Sequence, residues 1–228
     1  MFKKIIVSFL ALLIMLGVAH ADNSGEFDDK LPELIKKQLS EKYKINRIYY
    51  WSAGKLDDSD ADYYAVVSGK GEKLKEEEQS GDFDDAKLFL FVEQNGQLKK
   101  VLESKHINQC VTYVRSNPCA AEIRKKSLFV TPDYIHGGYC TGNYTTKQYK
   151  KIHGSFVLIG EESVDSDCDS EQNYYEKIST NYLTKKSITT KGKYYGKDGE
   201  EKKLEIISEK TTAIKLKKLK TLEEDYGQ

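Results

Sequence analysis

The chain has 228 residues, with 36 basic and 36 acidic side chains, and charged residues of mixed sign make up 32% of it. A formal net charge of zero excludes an electrostatic basis for holding nucleic acid. Charge mixed in this way reads as a solvated surface, not as a patch aimed at one partner.

Residues 1–21 have the form of a secretory signal peptide. Lys3 and Lys4 precede an apolar run from Ile5 to Val18, and Ala19-His20-Ala21 fits the small-x-small cleavage pattern. The run is shorter than the roughly 20 residues that span a bilayer, so no membrane association is expected once it is removed. The short, simple signal is of a bacterial kind and places the mature chain in the periplasm or the medium. Cleavage before Asp22 leaves 34 basic against 36 acidic residues and three histidines.

Residues 22–30 read as an acidic, flexible leader, and residues 31–228 as a single mainly β domain. Leu31 to Tyr43 is expected to be an amphipathic helix. Leu31, Leu34, Ile35, Leu39 and Tyr43 fall on one face, and Pro32 and Glu33 suit a first turn. From Ile45 the period changes to that of strands. Ile45–Ser52 and Asp62–Ser68 flank an acidic loop, and Lys73 to Glu78 is a charge run within a polar loop. Lys87–Glu93 and Leu98–Ser104 form a hairpin closed at Asn95-Gly96.

His106 to Glu122 is expected to be irregular, followed by a strand from Lys126 to Thr131 and a Gly- and Tyr-rich loop from Tyr134 to Tyr144. Thr145–Ile152 and Ser155–Ser163 predict a hairpin closed at His153-Gly154. Tyr174–Tyr182 and Lys185–Lys191 predict another, and Leu204–Ser208 and Thr212–Leu219 a last pair of strands. About ten strands, one N-terminal helix and no repeated βα unit imply antiparallel sheets, as a sandwich or a partial propeller, with an α+β arrangement as the alternative.

Four cysteines, Cys110, Cys119, Cys140 and Cys168, predict two disulfides in an exported chain. Three pairings are open. Cys110–Cys119 with Cys140–Cys168 closes the smallest loops. None of the spacings is that of a zinc site.

Asp165, Asp167, Asp169 and Glu176 occupy positions 1, 3, 5 and 12 of an EF-hand-like loop, but Ser170 stands where the tight turn takes Gly. Asp58, Asp60 and Asp62 alternate in a second acidic loop, where Tyr63 holds the glycine position. Both loops read chiefly as acidic turns. Calcium is the one cofactor they suggest, and no metal ligands are assigned.

No G-x-S-x-G elbow accompanies His106, His136 or His153, so no catalytic residues are assigned. Of the sixteen tyrosines, Tyr134, Tyr139, Tyr144 and Tyr149 cluster around the cysteine-bearing loop. They read either as sheet packing or as contact residues for a partner, since tyrosine covers area at low entropy cost.

Gly54 to Tyr63, followed by Tyr64-Ala65-Val66-Val67, resembles a degenerate integrin-like (FG-GAP/VCBS-type) calcium-loop repeat. Leu128-Phe129-Val130, Gly137-Gly138, Tyr149 to Gly160 and Asn181 to Lys186 are similar in order to a group of uncharacterised exported bacterial proteins. Lys55 replaces the first acidic ligand of the repeat, and Ser59-Asp60 replaces its Asp-Gly pair. The resemblance spans roughly residues 45–190 and implies export and a mostly β fold, with no established activity.

The sequence therefore suggests an exported, non-catalytic binding protein that contacts another protein through tyrosine-rich loops, with a periplasmic immunity or inhibitor role as its sharpest form. A secreted carboxylate-dependent hydrolase and a calcium-dependent adhesion module are the rival readings.

Overall fold

The computed structural model describes residues 31–45, 48–68, 82–83, 86–106, 110–111, 120–131, 134–136, 141–168, 173–196, 202–215 and 218–226. The expected signal peptide and leader (1–30), the charge run at 73–78, Tyr139, Cys119 and Cys140 lie outside them.

In chain order the elements are α1 (Glu33–Tyr43), β1 (Ile48–Gly54), β2 (Asp62–Ser68), β3 (Asp82–Phe83), β4 (Lys87–Gln94), β5 (Gln97–His106), β6 (Cys110–Val111) and β7 (Ala120–Arg124). They continue with β8 (Ser127–Thr131), β9 (Tyr134–His136), β10 (Gly142–Ile152), β11 (Ser155–Asp167), β12 (Tyr174–Asn181), β13 (Lys186–Tyr195), β14 (Lys203–Ala213) and α2 (Leu222–Tyr226). The fold is mainly β, and every strand pairing is antiparallel. A four-stranded sheet runs β1-β2-β4-β5. An eight-stranded sheet runs β14-β13-β12-β11-β10-β8-β7, with β9 paired to β10, and β3 and β6 form a small separate ladder. Among the described residues neither sheet closes into a barrel.

The four-stranded sheet is the middle layer. Along β2 every residue from Tyr63 to Ser68 is buried, so both faces of that strand are covered. Tyr64, Val66, Phe89, Phe91 and Leu98 turn to α1, where Leu31, Ile35 and Leu39 meet them. Tyr63, Ala65, Val67, Leu88, Leu90 and Val92 turn the other way, onto Ile123, Leu128, Val130, Tyr149, Phe156 and Leu158 of the larger sheet. A strand buried on both sides loses its polar alternation, which is why β2 and β4 read as near-continuous apolar runs.

Helix α1 is narrower in its apolar contact than its sequence suggests, because Leu34 is 56% exposed. Leu34 lies a turn-fraction away from the Leu31–Ile35–Leu39 stripe, and a helix on one sheet buries only that stripe. Polar contacts fix the helix to the β4–β5 hairpin. Gln38 donates to the Gly96 carbonyl (3.0 Å) and accepts from the Leu98 amide (2.8 Å), and the Tyr43 hydroxyl donates to the Leu98 carbonyl (2.8 Å). Lys44 ends the helix in a left-handed conformation (φ 59°).

The two sheets touch edge to edge as well as face to face. The Ser52 hydroxyl of β1 donates to the Ala121 carbonyl (2.6 Å) and accepts from the Ile123 amide (3.0 Å) of β7. Gly54 lies so close to Ile123 that a Cβ there would stand 2.9 Å from its Cγ2, so the approach of the sheets requires glycine at that position.

Four expectations change. Leu204–Ser208 and Thr212–Leu219 are not two strands: residues 203–213 form one strand, β14, interrupted only by a bulge. A second helix, α2, follows it. Tyr134–His136 and Gly142–Tyr144 are paired strand, so the expected tyrosine-rich loop is shorter than residues 134–144. The strand expected from Lys126 begins at Ser127, because Lys125 and Lys126 (φ 49° and 55°) form the turn of a β7–β8 hairpin whose first strand lies inside the stretch expected to be irregular.

Candidate functional site

Strand β10 organises the polar chemistry of the interior. Its residues alternate between faces, so Lys147, Tyr149 and Lys151 share the side turned to the four-stranded sheet. Tyr149 is fully buried. Lys147 and Lys151 each reach past it to a carboxylate on a different element.

Lys151 serves the β1–β2 loop. Its ammonium donates to Asp57 Oδ2 (2.7 Å) and to the Tyr63 hydroxyl (2.7 Å), which in turn donates to Asp57 (3.0 Å). Asp57 also accepts from the amide and hydroxyl of Ser59. The Lys151 hydrogen bond, then those from Ser59, hold the Asp57 carboxyl far below the usual carboxylate range. The same Asp57 contact raises the Lys151 amine. Two further lysines secure this loop: Lys55 pairs with Asp62 (3.0 Å) and Lys126 with Asp58. In this acidic loop, ammonium groups therefore meet three of the carboxylates, Asp57, Asp58 and Asp62.

Lys147 serves α2. The short helix begins with a capping box: the Glu224 amide donates to the Thr221 hydroxyl (3.2 Å), and the Thr221 amide donates to the Glu224 carboxylate (2.7 Å). Leu222 and Tyr226 are thereby buried, and Asp225 points at β10. Its Oδ2 accepts from the Tyr149 hydroxyl (2.6 Å) and lies 3.4 Å from the Lys147 ammonium, while Oδ1 lies 3.6 Å from Lys220. Burial, then the neighbouring Tyr226 and Asp225, push the Tyr149 phenol strongly up. Beside this group opens a cleft of about 140 Å³. Lys147, Lys218 and Lys220 converge on it together with Glu161 and Asp225, over a wall of Leu158, Tyr182 and Leu219.

The opposite face of the large sheet carries a second feature. Strands β12, β13 and β14 extend beyond the four-stranded sheet as a wing, and all eleven residues of β14 are exposed. Register places Ser166, Tyr175, Gly192 and Ile206 in one row, with Tyr194 paired to Leu204 beside it. Tyr175 and Tyr194 meet edge to face with centroids 6.3 Å apart. Leu204 and Ile206 fold over Gly192, where a Cβ would come within 2.9 Å and 3.4 Å of their Cδ1 atoms. The result is an apolar patch of two half-buried tyrosines and two aliphatic side chains of the exposed strand β14.

The expected tyrosine cluster is divided by this arrangement. Tyr134 pairs directly with Tyr144, which is half-buried on the wing-patch face of β10. Tyr149 lies five residues further along the strand. An odd spacing puts it on the opposite face, in the core, so it is corrected from contact residue to interior residue.

Of the cysteines, Cys168 is buried and disulfide-bonded. Cys110 pairs as backbone with Phe83, and the identity of Cys168's partner lies outside the described residues. The EF-hand-like reading of residues 165–176 is also corrected in its geometry. Asp165 and Asp167 belong to β11, and Asp165 stands directly opposite Glu176 of β12 instead of sharing a loop with it. Asp165 accepts from the Tyr174 hydroxyl (2.9 Å), and Glu176 pairs with Lys191 (3.2 Å). His153 is the exposed first residue of the β10–β11 turn, followed by Gly154, both with positive φ. Among the described residues no group of three or more His, Cys, Asp or Glu side chains is placed to hold a metal ion, and no helix is long and apolar enough to cross a membrane.

The α2 cluster is the site that sequence reasoning missed. Thr221-Leu222-Glu223-Glu224 carries the Thr-x-x-Glu capping signature, which was the available signal for α2 and hence for Asp225. Comparison of the chain with family models, curated proteins and solved structures gives no match.

Proposed function

We propose that this is an exported, non-catalytic binding protein that contacts another protein through the wing of its large sheet. The observation that carries the reading is the patch of Tyr175, Tyr194, Leu204 and Ile206, with Tyr144 at its margin. Leu204 and Ile206 are 39% and 49% exposed, on β14, the last strand of the large sheet. Aromatic and aliphatic side chains held on a rigid sheet are the usual anchors of a protein interface. This patch takes over the role first assigned to Tyr134, Tyr139, Tyr144 and Tyr149. A periplasmic inhibitor or immunity protein is the form of this activity that a small exported domain of this kind suits best.

The experiment is site-specific photo-crosslinking in the periplasm of the producing cell, with the crosslinker at 206 and, as a control, at 34 on α1. Discrete adducts from 206 that disappear with Tyr194→Ala are expected. Identical patterns from both positions, or none from 206, overturn the reading.

A further inference from the structure

We propose that Asn95-Gly96, the turn of the β4–β5 hairpin, is a self-modifying site: Asn95 deamidates without an enzyme, and the isoaspartate it yields loosens the hold of α1 on the four-stranded sheet. The site lies away from the wing patch and does not depend on that patch's role.

The chain contains a single Asn-Gly pair. Both residues are exposed and left-handed, with φ 53° and 74°. Among the described residues the Asn95 carboxamide has no hydrogen-bond partner, and the bond that reaches the turn from outside the hairpin goes from Gln38 to the Gly96 carbonyl (3.0 Å). Glycine sets no side chain beside its own nitrogen, and even a Cβ built there would meet nothing within 4 Å. The other described asparagines lack this combination. Asn181 accepts from the Thr184 amide (2.9 Å), Asn173 accepts from Lys202 (3.3 Å), and Asn143 lies within β10; each is followed by tyrosine.

The reaction needs only water. The Gly96 nitrogen attacks Cγ of Asn95, the Cγ–Nδ2 bond breaks, and the nitrogen leaves as ammonia with the Gly96 amide proton. Water then opens the succinimide. Cleavage at Cγ leaves aspartate; cleavage at the main-chain carbonyl leaves isoaspartate, whose backbone runs through the side-chain methylene. Ring closure requires the turn to flex away from the conformation that Gln38 holds, so Gln38 acts as a brake. The product matters because α1 grips this hairpin at three points: the Gly96 carbonyl and the Leu98 amide through Gln38, and the Leu98 carbonyl through Tyr43. A longer backbone in a two-residue turn moves the first of these against the other two.

The test is peptide mapping of the full mature chain aged in warm, mildly alkaline buffer, with fragmentation that separates isoaspartate from aspartate. Both products are expected at position 95 before any change at Asn143, Asn173 or Asn181. Gln38→Ala is expected to speed their appearance about fivefold or more, the effect of losing the hydrogen bonds that hold the turn. Amide exchange along α1 is expected to accelerate in the isoaspartyl fraction and to stay at the parent rate in fresh Asn95→Asp, which carries the new charge without the longer backbone. Modification at another of these asparagines first, an unchanged rate in Gln38→Ala, or parent-like exchange of α1 in the isoaspartyl fraction overturns the proposal.

Discussion

The large sheet has two halves made from similar sequence and held by different physics. In β7, β8, β10 and the start of β11, one face is pressed onto the four-stranded sheet, and side chains such as Leu128, Tyr149 and Phe156 lie at 2% exposure or less. In β12–β14 the same kind of strand continues with water on much of both faces, sustained by ladder hydrogen bonds, cross-strand pairs and the tyrosine patch. Ion pairs show the same division. Lys151–Asp57 is half-buried and shares its carboxylate with Ser59 and Tyr63, whereas Lys191–Glu176 sits in the open with side chains 60% and 37% exposed. The first fixes a loop to a sheet; the second covers a surface.

The sharpest way to break this contrast is to truncate one apolar residue in each half. Leu90→Ala removes a side chain with no exposure and is expected to cost about 2–5 kcal/mol in urea unfolding. Ile207→Ala, on β14, is expected to stay within about 0.5 kcal/mol. Equal losses would mean that the wing is packed as tightly as the sandwich.

The wing should owe part of its stability to a covalent link. The ladder pairs Gly142 with Ser166; in the sequence Cys140 precedes the first by two residues and Cys168 follows the second by two. Non-reducing peptide mapping is expected to return Cys140 linked to Cys168, and reduction is expected to cost about 2–4 kcal/mol. A link from Cys168 to Cys110 or Cys119 would sink that assignment.

Charge removal gives the next contrast. Asp57→Asn should cost about 1–3 kcal/mol at neutral pH, the size of a lost charged hydrogen bond, while Glu176→Gln should cost about 0–1 kcal/mol. The sign of the pH effect follows from the depressed Asp57 pKa. Its stabilisation is fully present above the unfolded value of about 3.9 and is lost as pH falls through the lower folded value. Acid titration of unfolding free energy should therefore be flatter in Asp57→Asn than in the parent. An unchanged acid slope would show that Asp57 is not the group responsible.

The smallest effect is local. Gly192→Ala places a Cβ 2.7 Å from the Glu205 carbonyl oxygen, which must move because it is backbone. Amide exchange along β14 is expected to accelerate about tenfold or more, with β2 and β4 unaffected, because an edge strand opens without the core. Uniform acceleration across both sheets would indicate that wing and sandwich unfold as one unit.

Much of the framework was legible. Asn95-Gly96 and His153-Gly154 supply the positive φ values that two-residue hairpins need, and the β2 and β4 runs announced a buried sheet. The β7–β8 turn was not legible, because Lys125-Lys126 adopts the same left-handed geometry without glycine or asparagine. Lys126 of this turn also pairs with the distant Asp58. Tyr149 could not be separated from Tyr144 until strand, and not loop, was known to run through residues 142–152. The cleft depends on Asp225 meeting β10, a contact 76 residues apart in sequence. The capping box foretells that helix but says nothing of where it docks.

The bulge in β14 bears on how the protein behaves when crowded against its own copies. Residues 191 and 192 face 208 and 206, so Ile207 is an extra residue in the outermost strand. Flat, regular edges template fibres, and bulges and charges prevent it. The bulge at Ile207 thus keeps the last strand from presenting a flat, regular edge, and deletion of Ile207 is expected to favour self-association.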